Sequence, residues 1–172
     1  TYQDLAGRLW IGTRGGLTRF SNGQFTTYST KDGLSNDNVV SISEDSHGAL
    51  WIGTSGGGLD RFQGGRFTVY STRNGLSSDV VWCAYPDLEG SVWIGTNGGG
   101  LQRLRDGRFF TYSPQNGLFD DTVFKILPDG LGNLWMSSNK GIFRVRKQEL
   151  NAVARGEASS LASVAYGAAE GM

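Results

Sequence analysis

Four tryptophans, Trp10, Trp51, Trp93 and Trp135, follow one another at spacings of 41, 42 and 42 residues, and each lies three residues after a glycine: Gly7, Gly48, Gly90 and Gly132. A fixed period of this length restricts the chain to architectures in which one supersecondary unit stacks on copies of itself. Laying the 42 residues from Trp51 on those from Trp93 gives 22 identities. They include Trp-Ile-Gly-Thr, the triple glycine before Leu59 and Leu101, and Asn-Gly-Leu at 74–76 and 116–118. The first copy has one glycine fewer, in Thr13-Arg14-Gly15-Gly16-Leu17, and the fourth is reduced to Trp135-Met136-Ser137-Ser138.

Each unit reads as four short strands, apolar and β-branched runs bounded by Gly, Asn and Asp. In the second unit they fall at about 38–44, 49–54, 59–62 and 66–70. Asp45-Ser46-His47-Gly48 separates the first two, and Asp-x-x-Gly recurs at 87–90 and 129–132. Asp bonds its own backbone there and Gly supplies a positive φ, so these are hairpin turns. In Leu50-Trp51-Ile52-Gly53, Trp51 and Gly53 share one face and Leu50 and Ile52 the other, which makes both faces apolar. Such a sheet must lie between two others, and radial stacking of four-stranded sheets is the β-propeller. Gly53 and Gly95 are expected to leave room for a neighbouring sheet to approach the Trp ring. The 27 glycines, about twice the usual share, have no Gly-X-Y period and fit many tight turns.

The expected fold is therefore all-β. About four blades of four antiparallel strands, at about 1–30, 36–72, 78–114 and 120–166, form a single partial propeller over 1–172. Leu150, Val153 and Ala154 at i, i+3 and i+4 before Gly156 predict a short helix at 147–155, inserted ahead of a last strand at 161–166. Tyr166-Gly167-Ala168-Ala169-Glu170-Gly171-Met172 echoes the segment at 70–76. Regular repeats with no terminal cap read as an arc cut from a ring of six to eight blades. Its apolar end faces lead us to expect self-association.

Lys+Arg 16 against Asp+Glu 16 gives a formal net charge of +0, which argues against nucleic acid or an anionic membrane as partner. No apolar run approaches the roughly 20 residues of a membrane span. The single cysteine, Cys83, forms no internal disulfide and no Cys-based metal site.

The run Gly-Leu-Ser-Asn-Asp-Asn-Val-Val-Ser-Ile-Ser-Glu-Asp-Ser-His-Gly-Ala-Leu-Trp-Ile-Gly-Thr at 33–54, continued by Gly57-Gly58-Leu59-Asp60-Arg61-Phe62, closely resembles the two-component regulator propeller repeat. The likeness extends over nearly the whole chain. It implies seven-bladed propellers in the periplasmic sensing region of a membrane-anchored bacterial receptor, ahead of an immunoglobulin-like domain, a membrane helix and a histidine kinase or diguanylate cyclase output. The partners it implies are further blades of the parent chain and a small polar ligand or oligosaccharide.

The lone His47 sits in a turn with no second histidine, so a Ser-His-Asp site has no support. The glycine loops at 56–58 and 98–100 lack the Lys-Ser/Thr and helix start of a phosphate cradle. Aspartates recurring one blade apart do not make a calcium loop, and neither a metal nor a cofactor is expected. Trp10, Trp51, Trp93 and Trp135, with Arg19, Arg61, Arg103 and Arg144 one strand later, recur too strictly to be ligand contacts and are assigned to blade packing. Trp82 occurs once, where other units have Val40 and Phe124, and is also assigned to packing. Function is expected on the rim where one blade hands over to the next, which varies between copies. The candidate ligand-binding residues are Asn36, Asp37, Asp79, Phe119, Asp120, Asp121, Asn97 and Lys140. A non-catalytic sensor module is the leading reading. The alternatives are a propeller lyase, which would need a base or metal on this rim, and a passive protein-interaction scaffold.

Overall fold

The Asp-x-x-Gly segments shape the first hairpin of every unit. In the computed structural model, which describes residues 1–167, Asp45 Oδ1 accepts from the backbone N–H groups of His47 (2.9 Å) and Ala49 (3.0 Å). Its Oδ2 accepts from the Trp51 indole N–H at 3.0 Å, and Gly48 completes the turn at φ 76°. Asp4, Asp87 and Asp129 repeat this with Trp10 (2.7 Å), Trp93 (2.8 Å) and Trp135 (3.1 Å). One carboxylate thus fixes both a turn and the orientation of the ring six residues later.

Four antiparallel sheets follow, each from four consecutive strands in chain order. They are β1 (Tyr2–Gln3), β2 (Leu9–Thr13), β3 (Gly16–Ser21) and β4 (Gln24–Tyr28); β5 (Val39–Glu44), β6 (Leu50–Thr54), β7 (Leu59–Gln63) and β8 (Arg66–Tyr70); β9 (Val81–Pro86), β10 (Val92–Thr96), β11 (Leu101–Arg105) and β12 (Arg108–Tyr112); and β13 (Lys125–Pro128), β14 (Asn133–Ser138), β15 (Gly141–Arg146) and β16 (Val164–Tyr166). Blade-to-blade packing is concentrated on the first strands, β5 lying against β9 and β9 against β13. The sheets therefore fan outward from an inner edge, as propeller blades do.

The alternation of β6 buries both of its faces. Leu50 and Ile52 join Trp10, Leu17 and Leu34 in the core between the first two blades. Trp51 and Leu59 join Val92, Ile94 and Leu104 between the second and third. Each fully buried side chain of this size is worth roughly 1.5–3 kcal/mol. Every Trp also stacks on the Tyr that ends its blade, as Trp51 on Tyr70 at 5.8 Å, and carries an arginine over its ring, as Arg61 at 5.8 Å.

The glycine two residues after Trp51 and after Trp93 leaves room for the neighbouring sheet, and the atoms that come closest from that sheet belong to its backbone. A Cβ at Gly53 would lie 2.7 Å from the Val81 carbonyl oxygen, and one at Gly95 2.6 Å from that of Val123. Gly53 and Gly95 admit the inner strand of the next blade. Those inner strands are bulged: the register of β5 slips between Val39 and Ser41, and that of β9 around Trp82. Val40 and Trp82 are thereby pushed out of the ladder, and Trp82 meets Phe124 edge-on at 5.7 Å.

The insertion in the fourth blade is the helix α1 (Lys147–Ala154). Leu150 is buried against the third and fourth blades, and its carbonyl accepts from the Tyr112 hydroxyl at 2.9 Å. The last strand is shorter than the sequence suggests. Leu161 donates its N–H to the Asn116 carbonyl, and Ser163 Oγ donates to that of Gly117. These bonds hold 161–163 on the preceding loop, so pairing with β15 begins only at Val164. The echo of 70–76 at 168–172 lies outside the described residues. Among the described residues no helix is long and apolar enough to cross a membrane.

Two substitutions test this framework. Asp87→Ala leaves the buried Trp93 indole and Ser91 N–H without an acceptor and should cost about 3 kcal/mol in chemical denaturation. Gly95→Ala should cost about 2 kcal/mol by forcing the third and fourth blades apart; a loss below about 0.5 kcal/mol in either variant would contradict the packing described.

Candidate functional site

Each blade hands over to the next through one short 3₁₀ turn. Ser29, Ser71 and Ser113 precede these turns, and Asp32, Asn74 and Asn116 bond back to the serine N–H groups at 2.7–2.8 Å. Left-handed Gly33, Gly75 and Gly117 end the turns, with φ from 96° to 110°, and Leu34, Leu76 and Leu118 are buried behind them.

The next residues are the expected rim, and the structure gives several of them work within the loops. Asn36 Oδ1 accepts from Asn38 N–H (2.8 Å), as Ser78 Oγ does from Val80 (3.3 Å) and Asp120 Oδ1 from Thr122 (3.2 Å). Asp37 reaches back to the Thr30 N–H (2.7 Å) and hydroxyl, and Asp79 to the Thr72 N–H (2.7 Å) and hydroxyl (2.9 Å). Their carbonyls, with that of Asp121, accept from Gly16, Gly58 and Gly100 of the preceding blade. The rim aspartates are therefore also the stitches between blades.

The third handover departs from this scheme. Pro114 stands where Thr30 and Thr72 stand, and proline has no N–H to give. Asp121 is left exposed, with one long contact from Thr122 Oγ1 at 3.4 Å. Asp120 is only 3% exposed, and its Oδ2 has no partner among the described residues. Lys140 Nζ lies 6.0 Å from the centre of the Phe119 ring, which itself packs on buried Phe143 at 5.5 Å. The Gly98 N–H donates to Thr122 Oγ1, bringing the loop of exposed Asn97 alongside. Asn97, Phe119, Asp120, Asp121 and Lys140 thus gather at one handover. Asn36 and Asp37 sit at the first and Asp79 at the second. The gathered set combines hydrogen-bond acceptors, one cation and one aromatic face.

Behind the rim, each handover closes on the third strand differently. Ser35 donates its N–H (3.0 Å) and hydroxyl (2.5 Å) to Asp60; Ser77 donates its N–H to Gln102 (2.8 Å); Phe119 packs on Phe143. Asp60 is fully buried with no cation against it, and burial pushes its carboxyl up to about 6, the two Ser35 donors opposing only part of that. Cys83 is also buried, and desolvation pushes its thiol up to about 12, which leaves it unreactive. His47 is exposed in its turn. Among the described residues no three His, Cys, Asp or Glu side chains are grouped to hold a metal ion.

The two component regulator propeller family matches residues 33–56 and 75–98, one handover and first hairpin in each of two blades. No curated protein matches the chain. Among solved structures, the extracellular domain assigned to the hybrid two component system BT3049 of B. thetaiotaomicron superposes with a TM-score of 0.82 at 25% identity, over 99% of this chain and 23% of that one. The corresponding domain of BT4673 from the same organism gives 0.74 at 26% identity, over 86% and 23%. The chain spans about a quarter of the length of these structures. Virginiamycin B lyase from Staphylococcus aureus shares the fold, with a TM-score of 0.67 at 16% identity over 86% of this chain and 51% of that one.

Asp60 supplies a pH signature. Its folded pKa lies above its unfolded value, so its favourable contribution is complete below about pH 4 and is lost as pH rises through about 6. Asp60→Asn, which places an amide where the third blade has Gln102, should raise Tm by about 5 °C at pH 7.5 and by only about a third of that at pH 4.5. Scanning calorimetry at the two pH values checks this, and a pH-independent gain would refute it.

Proposed function

We propose that these two-component regulator propeller repeats form part of the extracytoplasmic ligand-recognising region of a bacterial signal-transduction receptor, and that the module is non-catalytic. The observation that carries this reading is the third handover. The fold spends Asp37 and Asp79 on its own loops, whereas Pro114 releases Asp121 and Asp120 Oδ2 is left unanswered. The likeness to extracellular domains of two component systems supports the compartment and receptor class. In a receptor of that kind the module is periplasmic.

The ligand class follows from the side chains. Two carboxylates, an amide, an ammonium and one aromatic face suit a small polar molecule rich in hydroxyls, such as an oligosaccharide, which hydrogen-bonds through its edges and stacks through its ring. The remaining partners are further blades of the parent chain. Leu9, Phe20 and Phe25 face away from the second blade, and Trp135, Ile142 and Val164 away from the third. Both sets belong against sheets of the same kind, and where those are missing two copies should associate through them.

The rim is tested in the intact receptor ectodomain by calorimetric titration with a panel of neutral oligosaccharides and small metabolites. Asp121→Asn with Lys140→Gln should weaken the bound ligand at least about tenfold, since both residues are exposed and make few internal contacts. Unchanged affinity would remove the third handover from the binding site.

A further inference from the structure

The outer edge of the third blade carries a second feature that the rim does not use. In β11 and β12, Arg103 pairs with Phe110 and Arg105 with Arg108, so all four side chains stand on one face of the sheet. The corresponding positions are Arg61, Thr68, Gln63 and Arg66 in the second blade and Arg19, Thr26, Ser21 and Gln24 in the first. Only this blade has three arginines and a ring together. The helix α1 forms the facing wall with Asn151, Ala154 and Arg155, enclosing an open cleft of about 670 Å³. The clefts at the two preceding blade junctions are about 270 and 170 Å³. Every wall of the large one lies within the described residues.

We propose that this cleft binds a small molecule bearing a carboxylate, sulfate or phosphate group. Arg103 is pre-positioned: Nε donates to Ser91 Oγ (2.8 Å), Nη1 to Asn151 Oδ1 (2.7 Å), and the guanidinium lies over Trp93 at 5.2 Å. The acids nearby leave Arg103 and Arg108 without an ion pair among the described residues. Glu89 is engaged by Lys147 at 2.9 Å, and Asp106 meets Arg105 only at 3.7 Å in an exposed pair. Glu157 is taken by Arg155 through two bonds of 2.6 and 2.8 Å. Arg108 makes no ion pair among the described residues. The held guanidinium of Arg103, with those of Arg105 and Arg108 beside it on the same face, matches the paired oxygens of an oxyanion, and Phe110 offers an apolar face to the rest of the molecule. The net charge of +0 confines this attraction to the cleft and makes a long polyanion a poor occupant.

The test uses the whole chain, titrated at constant ionic strength with sulfate, inorganic phosphate and malonate, and with glucose as the uncharged control. Arginine side-chain Nε–Hε resonances are followed by NMR and Tm by thermal shift. At least one anion should move the Arg103 and Arg108 signals saturably, and the anion saturating at the lowest concentration identifies the group recognised. Arg105→Gln with Arg108→Gln, both on the exposed edge and the first borrowing the glutamine of the second blade, should keep Tm unchanged without anion and weaken binding about tenfold. Absence of any saturable shift would overturn the proposal, as would a response matched by chloride or one that survives in the double variant. None of these outcomes bears on the rim, which lies on different residues.

Discussion

An indole N–H held against a sheet needs an acceptor, and at four successive hairpins that acceptor is the aspartate that also turns the chain. Taking such a carboxylate out of water would by itself raise its pKa. At Asp87 the Trp93 indole, the Ser91 N–H and the Lys147 ammonium outweigh burial and hold the carboxyl below its ordinary range. Asp4 behaves likewise, with Trp10 and Arg8 opposing burial. Each ring is oriented by the turn of its own blade and not by the neighbouring one. The stacking of Tyr on one side and the guanidinium above it then follow from strand register alone.

The architecture was open to reading from the sequence because its signals are local. Alternation, turn chemistry and the 42-residue period lie within stretches of a few residues or repeat exactly one unit on. What escaped depends on atoms from elsewhere in the fold. Nothing in Asp-x-x-Gly-x-x-Trp says that the second carboxylate oxygen takes the indole, or that Gly53 makes way for the Val81 carbonyl of the next blade. Asp37 and Asp79 look alike as exposed rim acids until the threonine N–H groups seven residues earlier are seen to claim them. The signal that could have separated Asp121 from them was present as Pro114. The arginine cleft was hidden for the opposite reason: Arg103 belongs to a recurring set, and its partners Arg105 and Phe110 lie in outer strands with no motif around them.

The three handovers also show how a repeat diverges without losing its fold. The residue after the buried leucine and the residue just before the recurring arginine of the third strand change together: Ser35 with Asp60, Ser77 with Gln102, Phe119 with Phe143. Two polar pairs and one aromatic pair fill the same joint, so placing a ring in a polar joint, or a polar side chain opposite the ring in the aromatic one, would strand a buried polar group or open a void. Ligand-facing variety at the surface is underlain by matched variety one layer down.

Because each sheet is assembled from four successive segments in simple up-and-down order, every ladder joins neighbours along the polypeptide. Apart from β15 with β16, which are joined across the helical insertion, loop closure for each pairing involves only a short span of chain, and the slow search for distant strand partners that delays many all-β proteins is avoided. Blades can acquire their hydrogen bonds one at a time as synthesis proceeds, with docking of finished sheets as the later step. Acquisition or loss of an entire unit during evolution would then leave every remaining ladder intact.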